Sequence, residues 1–329
     1  MRGCDLTRRE LLAGVAVSAP LGLMASGTAS AQDWPARPVK VIVPYPAGGG
    51  ADTVSRILFG KLSDVLGQQF VIDNRGGAGG TIGAAVAAKA EKDGYTILYD
   101  ATAFSVNPSL YPRLAYDTEK DFQPVFLASL VPNLLVVHPS VSAKTVADVI
   151  AIAKAATGGL DWASSGNGTV QHLSLELFRL HAGVKLNHIP YRGGGPALND
   201  LIAGQVKFFF GNGASAIGHV QGGAIKAIAH TGRGRLGTLP DLPPVSDTLA
   251  GFEAYEWNGV FVPTGTPAPI ISRLNASLNT VLRQREVIER LRSLNVEFRE
   301  NTPEEFRSFV AAEMEKWGKV VREANIKLG

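Results

Sequence analysis

The stretch VPYPAGGGAD at residues 43–52 follows a run of strand type, VKVIV at 39–43, and leads into a segment with helical spacing, TVSRILFGKL at 53–62. Strand, glycine turn and helix make the unit from which parallel sheets are built, with ligands at the carboxyl ends of the strands. Glycine at such a turn lets the backbone approach a ligand closely, and the first N–H groups of the helix have no partner inside it. Those donors, with the positive end of the helix dipole, favour an anion such as a carboxylate or phosphate. A nucleotide-hydrolase loop would end in Gly-Lys-Ser/Thr, whereas Gly50 is followed by Ala51 and Asp52. Without that lysine the turn does not suit ATP or GTP.

Two further glycine turns come after strand-like runs: NRGGAGGTIG at 74–83, between a strand at 70–73 and an alanine-rich helix at 82–90, and ASSGNGTVQH at 163–172, before a helix at 174–180. Three such turns in one sheet would cluster at its strand ends. The second one also imitates a dinucleotide fingerprint through Gly77, Gly79 and Gly83, with Asp100 as the acid for a ribose. Its third glycine comes one place late, and Asn74-Arg75 separates strand from turn.

Outward from these turns, short runs rich in Val, Ile and Phe alternate with helix-period segments, which predicts an α/β fold. Strands are expected at 40–43, 70–73, 95–98, 123–127, 134–137, 206–210, 225–229 and 257–262. The segment 233–245 holds too many Gly and Pro for regular structure and reads as a surface connection. A helix is expected at 270–283. The last helix is the best defined: Thr302 can cap it, Pro303 fits its first position and Glu305 completes a capping box. Phe306, Phe309, Val310, Met314, Trp317 and Val321 then recur at helical spacing as a core stripe.

The N-terminus reads as an export signal. Thr7, Arg8 and Arg9 precede an apolar run at 11–24 and a small-residue site at Ala29-Ser30-Ala31, a twin-arginine-like pattern over residues 1–31. An ordinary secretory signal is the other reading. The single cysteine, Cys4, lies within it, so the mature chain is expected to carry neither disulfide nor lipid anchor. The formal charge of +3 includes three arginines and two acids of that segment. A near-neutral chain without basic blocks offers no footprint for nucleic acid. The chain beyond residue 31 is longer than one hydrophobic core usually organises, and about two domains are expected.

Catalytic constellations are lacking. Neither a Gly-x-Ser-x-Gly elbow nor a His-Glu-x-x-His pair occurs. All six histidines fall between 138 and 230. His172 and Glu176 could share a helix face as metal ligands, but no second pair at ligand spacing accompanies them, so a histidine bonded to backbone is preferred. No metal, no cofactor and no enzymatic activity are expected.

Several segments together resemble the Bug family, the extracytoplasmic solute receptors of tripartite tricarboxylate transporters. They include WPARPVKVIVPYPAGGGAD at 34–52, LGQQFVIDNRGGAGGTIG at 66–83, DGYTIL at 93–98, HIPYRGGGPA at 188–197, LPDLPPV at 239–245 and TPEEF at 302–306. The likeness runs in order over residues 34–329. It implies a two-lobed type II periplasmic-binding-protein clamshell, each lobe a mainly parallel sheet flanked by helices. Lobe one is placed at 34–130 and 258–329 and lobe two at 131–257, with hinge strands near 127–133 and 256–261. The implied role is a periplasmic, monomeric receptor that captures a small organic carboxylate and delivers it to the membrane subunits of such a transporter.

Carried over residue by residue, the resemblance implies a ligand site formed by Tyr45, Pro46, Ala47, Gly48, Thr102 and Ser105 of lobe one. Lobe two would add Ser164, Ser165, Gly166, Gly168, Thr169, Tyr191 and Asn212. Tyr45 and Tyr191 could equally serve as wall packing. Where the family often has acids, this chain has Lys207 and Gly211; the missing acid at 211 leads to the expectation of a carboxylate without an amino group. The competing readings are a twin-arginine-exported enzyme using a nucleotide or metal, and a ligand sensor feeding a membrane kinase.

Overall fold

The computed structural model describes residues 34–327, so the export signal lies outside the described residues. The chain begins with β1 (Val39–Val43), α1 (Gly50–Leu66), β2 (Phe70–Asn74), α2 (Thr81–Ala88), β3 (Thr96–Ala101) and α3 (Ala103–Leu110). In β1, Val39, Val41, Ile42 and Val43 are all buried, the mark of a strand covered on both faces. It pairs in parallel with β2 on one side and β3 on the other. Helix α1 buries Val54, Leu58, Phe59 and Leu62, one face at helical period, and stops at Gly67, whose φ of 67° suits glycine.

A strand of 16 residues, β4 (Phe122–Val137), comes next. Sequence reading gives it as two strands, 123–127 and 134–137, and Pro132, which cannot donate to a ladder, lies between them. The strand continues because its partners change there. Up to Pro132 it pairs antiparallel with β9 (Tyr255–Pro263), and from Asn133 on with β7 (Phe208–Asn212) and β8 (Lys226–His230). Pro124 falls where the register shifts, so neither proline costs a regular ladder bond.

Between those strands run α4 (Val146–Ala155), β5 (Leu160–Ser164), α5 (Val170–Ala182), β6 (Leu186–Pro190), α6 (Gly194–Ile202) and α7 (Gly213–Gln221). The strand order is β2-β1-β3-β9-β4-β7-β5-β6, with β8 also on β4. Parallel pairs lie within each half of this sheet, and the antiparallel pairs all involve the crossing strands β4 and β9. Segment 233–245 is almost wholly irregular, as its Gly and Pro content requires.

Helices cover both faces of each half. Val41, Val125, Leu274 and Leu278 form one core under α1 and α8 (Ala268–Leu282), and Ile42, Leu98, Phe261 and Phe306 another. In the second half, Leu135, Trp162, Phe178 and Phe210 share a core on one face, and Leu134, Phe209, Leu198 and Leu201 on the other. After α9 (Arg285–Ser293) the chain ends in α10 (Pro303–Glu323), with the Thr302–Glu305 capping box in place. This helix spans the halves. Phe306 and Val310 join a core of the first, while Trp317, Val320 and Val321 join a core of the second. Buried Glu313 accepts hydrogen bonds from the indoles of Trp257, 3.1 Å, and Trp317, 2.7 Å, fixing α10 to β9.

Candidate ligand site between the sheet halves

The first glycine turn is organised by Asp52, in the opening turn of α1. Its Oδ2 accepts from the Gly48 amide at 2.8 Å and from Arg56 Nε at 2.9 Å, and its Oδ1 accepts from Asn74 Nδ2 at 3.0 Å. Arg56, then the Gly48 and Asn74 bonds, hold this nearly buried carboxyl down at about 2 against the cost of burial. Gly48 has φ of 81°, which lets its amide turn back onto Asp52. The amide that sequence reading offers to a ligand is therefore already bonded. The N–H groups of Gly50, Ala51 and Asp52, in a helix whose N-cap Gly49 supplies no side chain, form no bond among the described residues. These are the donors left at this end of α1.

Tyr45 points away from its own turn. Its hydroxyl donates to Asp100 Oδ1 at 2.8 Å, and the Ala101 amide donates to the same oxygen at 2.7 Å. Burial pushes Asp100, 1% exposed, up to about 7. Burial and then Asp100 push Tyr45 well above the usual tyrosine range.

The second glycine turn backs the first. A Cβ on Gly80 would lie 3.3 Å from the Tyr45 hydroxyl and 3.5 Å from Asp100 Oδ1, and one on Gly83 would lie 2.8 Å from Pro44 Cβ. These glycines make room for the 44–45 backbone and its tyrosine. Asp100, held by Tyr45 in the interior, is not placed as the ribose acid of a dinucleotide site.

Thr102 and Ser105 are buried, and their hydroxyls are used internally. Thr102 Oγ1 accepts from the Trp257 amide at 2.9 Å and donates to the Tyr255 carbonyl at 3.3 Å; Ser105 donates to the Thr102 carbonyl at 2.8 Å. They fix the end of β3 to the start of β9. Pro46 and Ala47 are exposed at the tip of the first turn.

The third turn comes after β5 and is organised by neutral groups. Ser164 Oγ lies 2.6 Å from His188 Nε2 and accepts from the Gly166 amide at 3.1 Å. The Gly168 amide donates to His172 Nδ1 at 3.1 Å, so the proton of this neutral ring is on Nε2. The two imidazoles stack, centroids 3.8 Å apart and 8° from parallel. Burial, then His188, brings His172 down to about 3, and burial brings His188 down to about 4. Thr169 caps α5 by accepting from the His172 amide at 3.4 Å and bonds the Gly166 carbonyl at 2.8 Å. The Ser165 carbonyl accepts from Gly193, 3.1 Å, and Tyr191 donates its hydroxyl to Asp200, 2.8 Å. His172 is bonded to backbone, as the acceptor, and its Nε2 is 3.9 Å from Glu176. Among the described residues no His, Cys, Asp and Glu group could hold a metal.

Asn212 leads to a residue sequence reading missed, Glu256. Asn212 Oδ1 caps α7 through the Ala214 amide at 2.9 Å, and its Nδ2 donates to Glu256 Oε2 at 2.9 Å. Gln171 Nε2 reaches the same oxygen at 3.3 Å and Asn133 Oδ1 at 3.1 Å. Glu256 also raises Tyr45 electrostatically, after burial and Asp100. Strand ends of both halves converge on β9, Thr102 at the end of β3 on Tyr255 and Trp257, and Asn212 at the end of β7 on Glu256. Glu256 lies one residue ahead of the apolar run from which that strand is read, and no motif marks it. Gly211 corrects another expectation: a Cβ there would meet the Phe209 ring at 3.2 Å and Ala216 at 3.4 Å. An acid at 211 would enter an apolar core, so its absence says nothing about an ammonium group.

A cavity of about 670 Å³ lies on the opposite face of β4. Pro132, Leu134, Ile217, Arg235, Arg292 and Phe298 are among its walls, and none of the expected ligand residues is.

Residues 54–326 match the family model described as the tripartite tricarboxylate transporter family receptor. The chain belongs to this family. Protein BugT of Bordetella pertussis is 36% identical over 327 residues, 98% of this chain and 99% of its own length. The structure of R. palustris Rpa4515 with adipate has a TM-score of 0.78 at 35% identity, covering 90% of this chain and 99% of that one. MatC from Rhodopseudomonas palustris with bound malate has a TM-score of 0.74 at 33% identity, covering 88% and 100%. The fold is the two-lobed type II periplasmic-binding-protein clamshell, and family and fold are those of solute-binding receptors rather than enzymes. Among the described residues no helix is long and apolar enough to cross a membrane.

Proposed function

We propose that this protein is a periplasmic receptor that closes its two halves on a small organic carboxylate and presents it to the membrane subunits of a tripartite tricarboxylate transporter. The observation that carries the reading is the convergence of strand ends from both halves on residues 255–257 of β9, together with similar solved structures that hold adipate and malate. Backbone donors at the start of α1, with those at the start of α5, grip the carboxylate once closure expels water. The lobes divide within β4 and β9, near 130–131 and 257–258. The receptor works as a monomer without cofactor or catalysis, and the membrane transporter is its partner.

Calorimetry of the mature protein against aliphatic and aromatic mono- and dicarboxylates tests this. Binding of at least one acid at micromolar or tighter affinity, lost in both Gly48→Val and Gly168→Val, is the expected result. Retained affinity in both variants overturns the assigned turns, and no binding of any acid overturns the reading itself. Gly48→Val is informative because its Cβ would meet nothing within 4 Å, so the change acts through φ of 81° on the loop rather than through a clash in the core.

A further inference from the structure

Glu256 is the feature this reading leaves unexplained. It is partly buried on β9, between the sheet halves, and its Oε2 accepts from Asn212 Nδ2 and Gln171 Nε2. Both donors are neutral amides, so they satisfy the oxygen without cancelling its charge. Among the described residues Glu256 forms no ion pair, and neither does Asp100, the acid behind Tyr45 across the gap. A site for an anionic guest therefore carries a fixed, uncompensated carboxylate. Two carboxylates at close range in a partly desolvated cleft repel strongly, so the part of the guest nearest Glu256 cannot be a second carboxylate. A group with a proton to donate is attracted there, because Oε2 is already oriented by two amides while Oε1 accepts no hydrogen bond among the described residues.

We infer that Glu256 is the specificity-determining residue of the cleft and selects carboxylates that carry a hydrogen-bond donor, a hydroxyl or an ammonium, beside the gripped carboxylate. This rests on the receptor reading and narrows its ligand class. Asn212 and Gln171 act as positioning residues. They fix the Oε2 side of the acid, while Asn133 holds Gln171 through its side-chain oxygen at 3.1 Å. The sequence offers no such acid at 211, and the geometry supplies one from a different strand.

The test is a competition series at constant chain length: succinate, malate and aspartate, and in parallel adipate with 2-aminoadipate. Each is titrated into the wild-type protein and into Glu256→Gln, which keeps the shape and the acceptor oxygen for Asn212 and Gln171 but removes the charge. In the wild type the donor-bearing acid of at least one series binds at least tenfold tighter than its unsubstituted parent; malate against aspartate tells whether a hydroxyl or an ammonium is read. In Glu256→Gln that ratio falls below threefold, chiefly because the unsubstituted diacid gains affinity. A purely structural role would weaken all ligands alike and leave the ratio unchanged. An unchanged ratio in a variant that still binds, or a wild type preferring the unsubstituted diacid, overturns the inference and leaves the receptor reading standing. If no acid binds either protein, both fall together.

Discussion

The turns at 45–52 and 164–169 look alike in sequence, glycine-rich links from strand to helix, yet they are held by opposite chemistry. The first is fastened by charge: Asp52 gathers the Gly48 amide, Arg56 and Asn74. The second is fastened by neutral groups, with Ser164 on His188 and the Gly168 amide on His172, the two rings stacked. In each the glycine N–H nearest the strand end is spent on the loop itself. Glycine there serves a backbone conformation that lets a nearby side chain accept its amide, and the donors left for a ligand are those of the next helix.

Asp52→Ala should be the most damaging change. It leaves the Gly48 amide and the Asn74 side chain without their acceptor and removes a carboxylate that Arg56 compensates, for a loss of about 2–4 kcal/mol. Urea unfolding measures this, and calorimetry should show carboxylate binding gone. A loss no larger than that for Asp52→Asn would mean that charge is not what fastens the first turn.

The second turn should respond to acid instead. His172 and His188 have folded values of about 3 and 4, below the ordinary 6.5. As pH falls below about 6.5 the unfolded chain takes up protons that the folded protein refuses, so stability falls by up to about 1.4 kcal/mol per pH unit for each histidine. The Asp52 contribution, with its carboxyl at about 2, persists until pH drops below about 4. His172→Phe keeps a ring against His188 but loses the acceptor for Gly168. It should cost about 1–2 kcal/mol at neutral pH and flatten the decline between pH 6.5 and 4 in thermal melts. A variant as acid-sensitive as the wild type would break the contrast.

Asp100 carries the opposite sign. Its folded value of about 7 lies above the unfolded one, so its charged form burdens the protein at pH 8 and is relieved as pH falls. Asp100→Asn should raise stability by on the order of 1 kcal/mol at pH 8, an advantage that shrinks toward pH 4. Smallest of all, Arg235→Ala and Arg292→Ala, on the exposed walls of the cavity across β4, should change stability by less than about 0.5 kcal/mol and leave carboxylate affinity alone. A drop in affinity there would move the site to that cavity.

Much of the architecture was legible because it rests on local signals. The β1 run, the glycine turn ahead of α1 and the Thr302–Glu305 box each specify their element within a few residues. Continuity of β4 was not legible, because whether a strand survives a proline depends on the partners on either side of it. At the site, the turns could be found, but not which of their groups are spent internally. Tyr45, Thr102 and Tyr191 read as cleft residues, and all three hydroxyls bond within the protein. Glu256, His172 and His188 acquire their meaning from neighbours about 16 to 85 residues away in sequence, a separation that no local pattern encodes.

The carboxylate of Glu313, shared by the indoles of Trp257 and Trp317, gives the molecule an optical gauge of its own. One ring belongs to a strand that crosses between the halves, and the other to the far end of the helix that bridges them. Any rotation that reseats α10 must perturb both chromophores at once. On the proposed closure, emission from unlabelled protein should change as ligand is captured and released.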